Sequence, residues 1–211
     1  MSARSALLAV AAVATAATAH ASGPSLAVSG GYFDMTNAKQ SAKAVFGGSS
    51  GGVTFGAEVA YGFGSGFYVA GGARYFKKDG ERVFVADKTG PVSPLGHALS
   101  MRLIPIEATV GYHFARRGSL VPYVGVGGGI TTYHEESTVG GLAESQSESK
   151  ASGRALAGVG LGRGGIRLGV EVSYSKAPNT IGVGGVSKVY GETDVGGFSV
   201  AGRVVFMKSD R

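Results

Sequence analysis

Apolar side chains recur at every second position through most of the chain, and this period of two admits strands and excludes helices as the main elements. Val53, Phe55, Ala57, Val59 and Tyr61 fall on one face of a segment whose other face carries Thr54, Gly56, Glu58 and Ala60. Phe67, Val69, Gly71, Ala73 and Tyr75 repeat the pattern after Gly62-Phe63-Gly64-Ser65, so two strands and a tight turn form a hairpin. Further rows follow at Ile104–Phe114, Leu120–Tyr133, Arg154–Leu161, Ile166–Tyr174 and Phe198–Phe206. With a first strand near Leu26–Phe33, the expected count is eight.

A soluble sandwich also has one wet and one dry face, and three features argue against it. The connections alternate in length, with short turns near Gly62, Arg116 and Gly164 and long loops near 34–51, 77–97, 134–152 and 176–194. Short turns on one side and long loops on the other are the pattern of outer-membrane barrels, whose even strand count returns both termini to the periplasm. Aromatic residues collect at strand ends, with Tyr61, Phe67, Tyr112, Phe114 and Phe206 beside the short turns and Tyr32, Tyr75, Tyr174 and Phe198 beside the long loops. Two such girdles suit the two membrane interfaces. Finally, the charges inside the alternating segments share the non-apolar face.

The expected fold is therefore all-β, an eight-stranded antiparallel up-and-down transmembrane β-barrel. Such a barrel has an interior just wide enough to be filled by side chains. The 38 glycines of the 211 residues then serve as clearance for the few large residues inside. Glu58, Arg74, Glu107, Arg154, Arg167, Glu171 and Arg203 are expected to form an interior ion-pair network, because a buried charge must be paired. Two readings of that network stay open: a structural plug, or a narrow path for small solutes or ions of porin-like character.

Residues 1–21 carry Arg4, an Ala-rich apolar stretch from Ala6 to Ala19, and Ala19-His20-Ala21 as a cleavage signal. This reads as a secretory signal peptide, with residues 22–211 as one outer-membrane β-barrel domain. Cysteine is absent, which removes disulfides, thiolate metal sites and a lipid-anchoring Cys. The net charge of +6 comes from basic residues scattered singly, so no nucleic-acid partner is expected.

Arg102-Leu103-Ile104-Pro105-Ile106, Val110-Gly111-Tyr112-His113-Phe114 and the run Val121 to Gly129 resemble central strands of the outer-membrane-protein β-barrel domain family. Gly169 to Tyr174 and Gly197 to Val200 resemble its last two strands. The resemblance covers essentially the mature chain and implies a small eight-stranded barrel similar to OmpA-type and OmpW-type domains. Many members end on a terminal aromatic that the assembly machinery recognises, whereas here Met207-Lys208-Ser209-Asp210-Arg211 follows Phe206.

Chemistry beyond the barrel is sparse. His97, His113 and His134 are the imidazoles of the mature chain, and none sits in a catalytic or metal-binding motif. A lipid A-modifying enzyme would need His97 or His134 to meet a serine and an acid. The glycine runs at Gly125–Gly129 and Gly182–Gly185 lack the strand-to-helix setting of a phosphate loop. No enzyme activity and no cofactor are expected. The expected partners are outer-membrane lipid, the assembly machinery during insertion, and an extracellular ligand met through the long loops. Pro105, which cannot donate to a ladder in a closed barrel, is expected to mark a bulge.

Overall fold

The structure is a computed structural model, and it describes residues 23–114, 119–139, 142–162 and 165–207. The segment read as a signal peptide, and the turn residues Arg116 and Gly164, lie outside the described residues.

Eight strands close on themselves in sequence order. They are β1 (Gly23–Asp34), β2 (Gly51–Gly62), β3 (Phe67–Val85), β4 (Val92–His113), β5 (Leu120–Val139), β6 (Leu142–Leu161), β7 (Ile166–Lys176) and β8 (Phe198–Met207). Every neighbouring pair is antiparallel, and β1 closes the ring by pairing with β8 from Ser25↔Met207 to Asp34↔Phe198. Closure leaves no strand edge within the ring itself, so most backbone amides and carbonyls of the wall are answered within the sheet.

The outer wall is the apolar row of each strand. Phe55, Val59, Phe67, Ile106, Val110, Val126 and Leu168 are each between 57% and 63% exposed. A soluble surface rarely carries so continuous an apolar patch. At the short-turn end the girdle is a set of edge-to-face contacts, Phe67 to Tyr112 at 5.0 Å and Tyr112 to Phe114 at 5.3 Å between ring centres. Gly66 ends the β2–β3 turn with φ +94°, a conformation that disfavours any side chain.

Two of the expected long loops are corrected. β3 and β4 pair as far as Val85↔Val92, and β5 and β6 pair as far as Val139↔Leu142, so 77–97 and 134–152 are mostly hairpin arms rather than loops. The β5–β6 arms are polar on both faces, as in Glu135↔Gln146 and Glu136↔Ser145, because both faces leave the apolar band, whereas the β3–β4 arms keep Val83, Phe84, Val92 and Leu95 without a strict alternation. Alternation vanishes there while the ladder continues. The other two long connections fold over the barrel end as short helices: a 3₁₀ turn (Thr36–Ala38) leading into α1 (Lys39–Val45), and α2 (Gly185–Tyr190).

Pro105 is also corrected. Ala73↔Ile106 and Phe76↔Leu103 keep one register, with the β3 ladder lapsing opposite Pro105, while the β5 side pairs through Pro105↔Thr131. The missing donor thus costs rungs on one side and no bulge. The register shift of this hairpin lies between Glu81 and Val83, farther out, where polar surroundings can solvate a broken rung.

Candidate functional site

Alternation sends every second residue of all eight strands into the lumen, which is filled in three tiers. The waist is an ion-pair chain. Arg74 of β3 bonds Glu107 of β4 at 2.7 Å, and Glu107 also faces Arg154 of β6 at 3.6 Å. Arg154 then meets Glu171 of β7, Glu171 meets Arg203 of β8, and Arg203 reaches Glu58 of β2 at 2.7 Å. Six strands are linked across the lumen. Tyr123 of β5 joins them, donating to Glu171 at 3.1 Å and accepting from Arg203 at 3.3 Å. Three carboxylates and three guanidiniums cancel within the chain. Arg167 is buried in the same lumen, nearer the short-turn end.

Sequence builds this waist by opposing each charged side chain with a glycine on a neighbouring strand. Glu58 and Glu107 both face Gly72, Arg74 faces Gly56, and Arg154 faces Gly127. Glu171 faces Gly158, and Arg203 faces Gly169. A Cβ at Gly56 would lie 2.8 Å from Arg74 Cγ, and one at Gly72 would lie 2.5 Å from the Ala57 carbonyl oxygen. The glycines leave the width that long charged side chains need to cross the axis and meet. A paired charge in a low-dielectric interior is tolerable, whereas an unpaired one is not.

Nearer the short turns, Tyr68 and Tyr123 flank His113, with ring centres 4.6 Å and 5.7 Å away. These rings, with Arg167 and Val121, border a cavity of about 90 Å³. Toward the long hairpins the lumen turns apolar. Phe33, Phe76, Leu99, Met101, Leu103 and Tyr133 point inward, and Met35, Ala38, Ala42, Ala177 and Val195 descend on them from the two helical connections. Phe33 and Phe76 meet edge to face at 5.1 Å. This cap is tied down by carboxylates. Glu192 accepts the backbone N–H groups of Gln40 at 3.0 Å and Ser41 at 2.8 Å. Asp194 accepts from Asn37 at 3.1 Å and from the Ala177 amide at 2.7 Å.

The apolar tier was not read from the sequence, yet its signal is there. Phe76 and Leu103 stand on the same strand faces as Arg74 and Glu107, so apolar residues on the inner parity mark where the polar filling ends.

The remaining candidates are dispersed. His134 faces outward on β5 with its Nε2 2.9 Å from Glu136, and its hydrogen bond, with Arg102 beside it, holds the Glu136 carboxyl below the usual carboxylate range. Among the described residues no serine hydroxyl bonds His97 or His134, and no group of three His, Cys, Asp or Glu is placed to hold a metal.

The barrel is similar to that of the Neisserial surface protein A crystal structure, at 14% identity and TM-score 0.54 over 87% of this chain and 95% of that one. It also aligns with a major outer membrane protein from Thermus thermophilus at 12% identity, TM-score 0.49, over 89% of this chain and 99% of that one. The N-terminal barrel domain of Pseudomonas aeruginosa OprF aligns at 13% identity, TM-score 0.45, over 89% and 98%. At 14% identity the likeness to the Neisserial protein speaks for the fold alone. No curated protein matches the chain by sequence. Residues 5–203 match the outer membrane protein beta-barrel domain, and the chain belongs to that family.

Proposed function

We propose that this protein is a closed barrel of the bacterial outer membrane that acts through its exposed hairpins and does not conduct solutes. One observation carries the reading: the lumen is filled twice over, by an ion-pair chain at the waist and by a buried apolar cap above it. The spaces between these fillings are each about 30 Å³, room for about one or two waters. A conducting path needs continuous water, and neither tier supplies it. The short turns and both termini take the periplasmic side, and the long β3–β4 and β5–β6 hairpins extend outside. The apolar wall takes lipid, and the assembly machinery receives the chain during insertion. Function then resides in the polar arms, where Arg82–Glu144 and Arg102–Glu136 pairs stiffen surfaces able to meet a ligand. The lumen as a narrow pore would require the two fillings to move aside together.

Liposome swelling tests this directly. Reconstituted protein leaves vesicles as tight to arabinose and to potassium chloride as empty vesicles. Uptake that rises in proportion to protein would overturn the closed-barrel reading.

A further inference from the structure

Above the apolar cap, between α1, the loop carrying Val183 and the inner faces of β4 and β5, lies a cavity of about 330 Å³. It is roughly twice the ~150 Å³ that holds a benzene ring in an engineered protein core, and it reaches the range of small-molecule sites. Met35, Ala42, Leu99, Met101 and Tyr133 give it a buried apolar floor, while Leu95 and Val183 stand 49% and 83% exposed at its mouth. Large apolar side chains exposed at the rim of an apolar cavity favour entry of an apolar body from water.

Two polar features select the head group. Arg82 and Glu135 are the charged residues of the lining. Arg82 is already answered by Glu144. Glu135 accepts the Tyr133 hydroxyl and, among the described residues, has no cation within bridging distance. The wall therefore presents one uncompensated carboxylate. Ser41, also in the wall, is 7% exposed and its hydroxyl has no hydrogen-bond partner, a cost that an orienting contact to a ligand would relieve.

We infer that this cavity binds an amphipathic organic cation, an apolar body of aryl-alkyl size whose ammonium pairs with Glu135. A carboxylate ligand of the same body fits less well, since it would meet Glu135 and compete with Glu144 for Arg82. The site lies above the waist, so the inference stands apart from whether the barrel conducts.

The test uses the full barrel in nanodiscs with carbon-13 methyl-labelled methionine, titrated with 4-phenylbutylammonium, 4-phenylbutyrate or 4-phenylbutanol. Met35 and Met101 line the cavity, whereas Met207 belongs to the lining at the opposite end, so each spectrum carries its own control for binding elsewhere in the lumen. The expected result is saturable shifts of Met35 and Met101 alone, with the amine binding about tenfold or more tightly than the alcohol and the acid, as a charge-assisted hydrogen bond implies. Glu135→Gln removes that preference while leaving the alcohol's affinity in place, and Ala42→Phe weakens all three. Equal or tighter binding of the acid, amine preference that survives Glu135→Gln, shifts shared by Met207, or no saturable shift with any probe would each overturn the assignment.

Discussion

Glu171 is the residue on which most of the waist converges, taking Arg154, Arg203 and the Tyr123 hydroxyl. Removing it takes the closer carboxylate from two buried guanidiniums, leaving Arg154 only Glu107 at 3.6 Å and Arg203 only Glu58. Glu171→Ala, which weakens two arginines, and Glu107→Ala, which removes the carboxylate bridge of Arg74, are each expected to lose about 3–5 kcal/mol of stability, the usual cost of breaking a buried pair, with Glu58→Ala, after which Arg203 keeps Glu171, least. Asp79→Ala, which breaks an exposed pair with Lys77, should cost about 0–1 kcal/mol. Urea titrations followed by loss of heat-modifiable gel migration rank these four, and equal losses across them would contradict the waist described above. The exposed Glu136 carboxyl titrates below its unfolded value because of His134 first and Arg102 second. Its contribution is thus present above the unfolded carboxylate pKa and fades as pH falls through the lower folded one. Carbon-13 titration of the glutamate carboxyls should find Glu136 below the ordinary range, and His134→Ala should move it back up.

At the scale of elements, inner and outer glycines of one strand should behave oppositely. A Cβ at Gly72 meets backbone at 2.5 Å, whereas one at Gly71 meets nothing within 4 Å. Gly72→Ala should therefore cost about 1–3 kcal/mol through overpacking, while Gly71→Ala, on the outer wall, should be neutral or slightly stabilising. The protein has no cysteine, so single cysteines report orientation cleanly. Gly90→Cys in the β3–β4 hairpin should react with an impermeant maleimide on intact cells, and Ser65→Cys in the β2–β3 turn should not; the reverse would invert the topology.

How much of these elements was legible follows from where lipid imposes its pattern. Inside the apolar band the alternation of Val53 to Tyr61 gives both strand and face, and the parity of Glu58, Arg74 and Glu107 gives the lumen. Beyond the band both faces can carry polar residues, as Glu135 in the cavity wall and Glu136 on the outside do, so the arms of β5–β6 left no periodic trace and the backbone ladder alone defines them. The apolar cap escaped for a different reason. Met35, Ala38 and Val195 belong to connections whose short helices show no amphipathic period, and only tertiary folding brings them onto Phe76 and Leu103.

For the whole molecule, the fold resolves one problem twice. A barrel wide enough for eight strands leaves a lumen that must be filled, and the chain fills its middle with neutralised charge and its hairpin end with apolar side chains. The two fillings differ in what removes them. Glu→Ala changes attack the waist, while loss of Glu192 and Asp194 loosens the cap. Either alone should leave the barrel shut, and both together should open it.

Planar-bilayer recording tests that central claim most directly. The wild type should give no steady conductance above the bare membrane, and neither should Glu192→Gln, whereas Glu192→Gln combined with Glu171→Ala should give irregular leak. A stable, ion-selective open level in the wild-type protein would contradict the account.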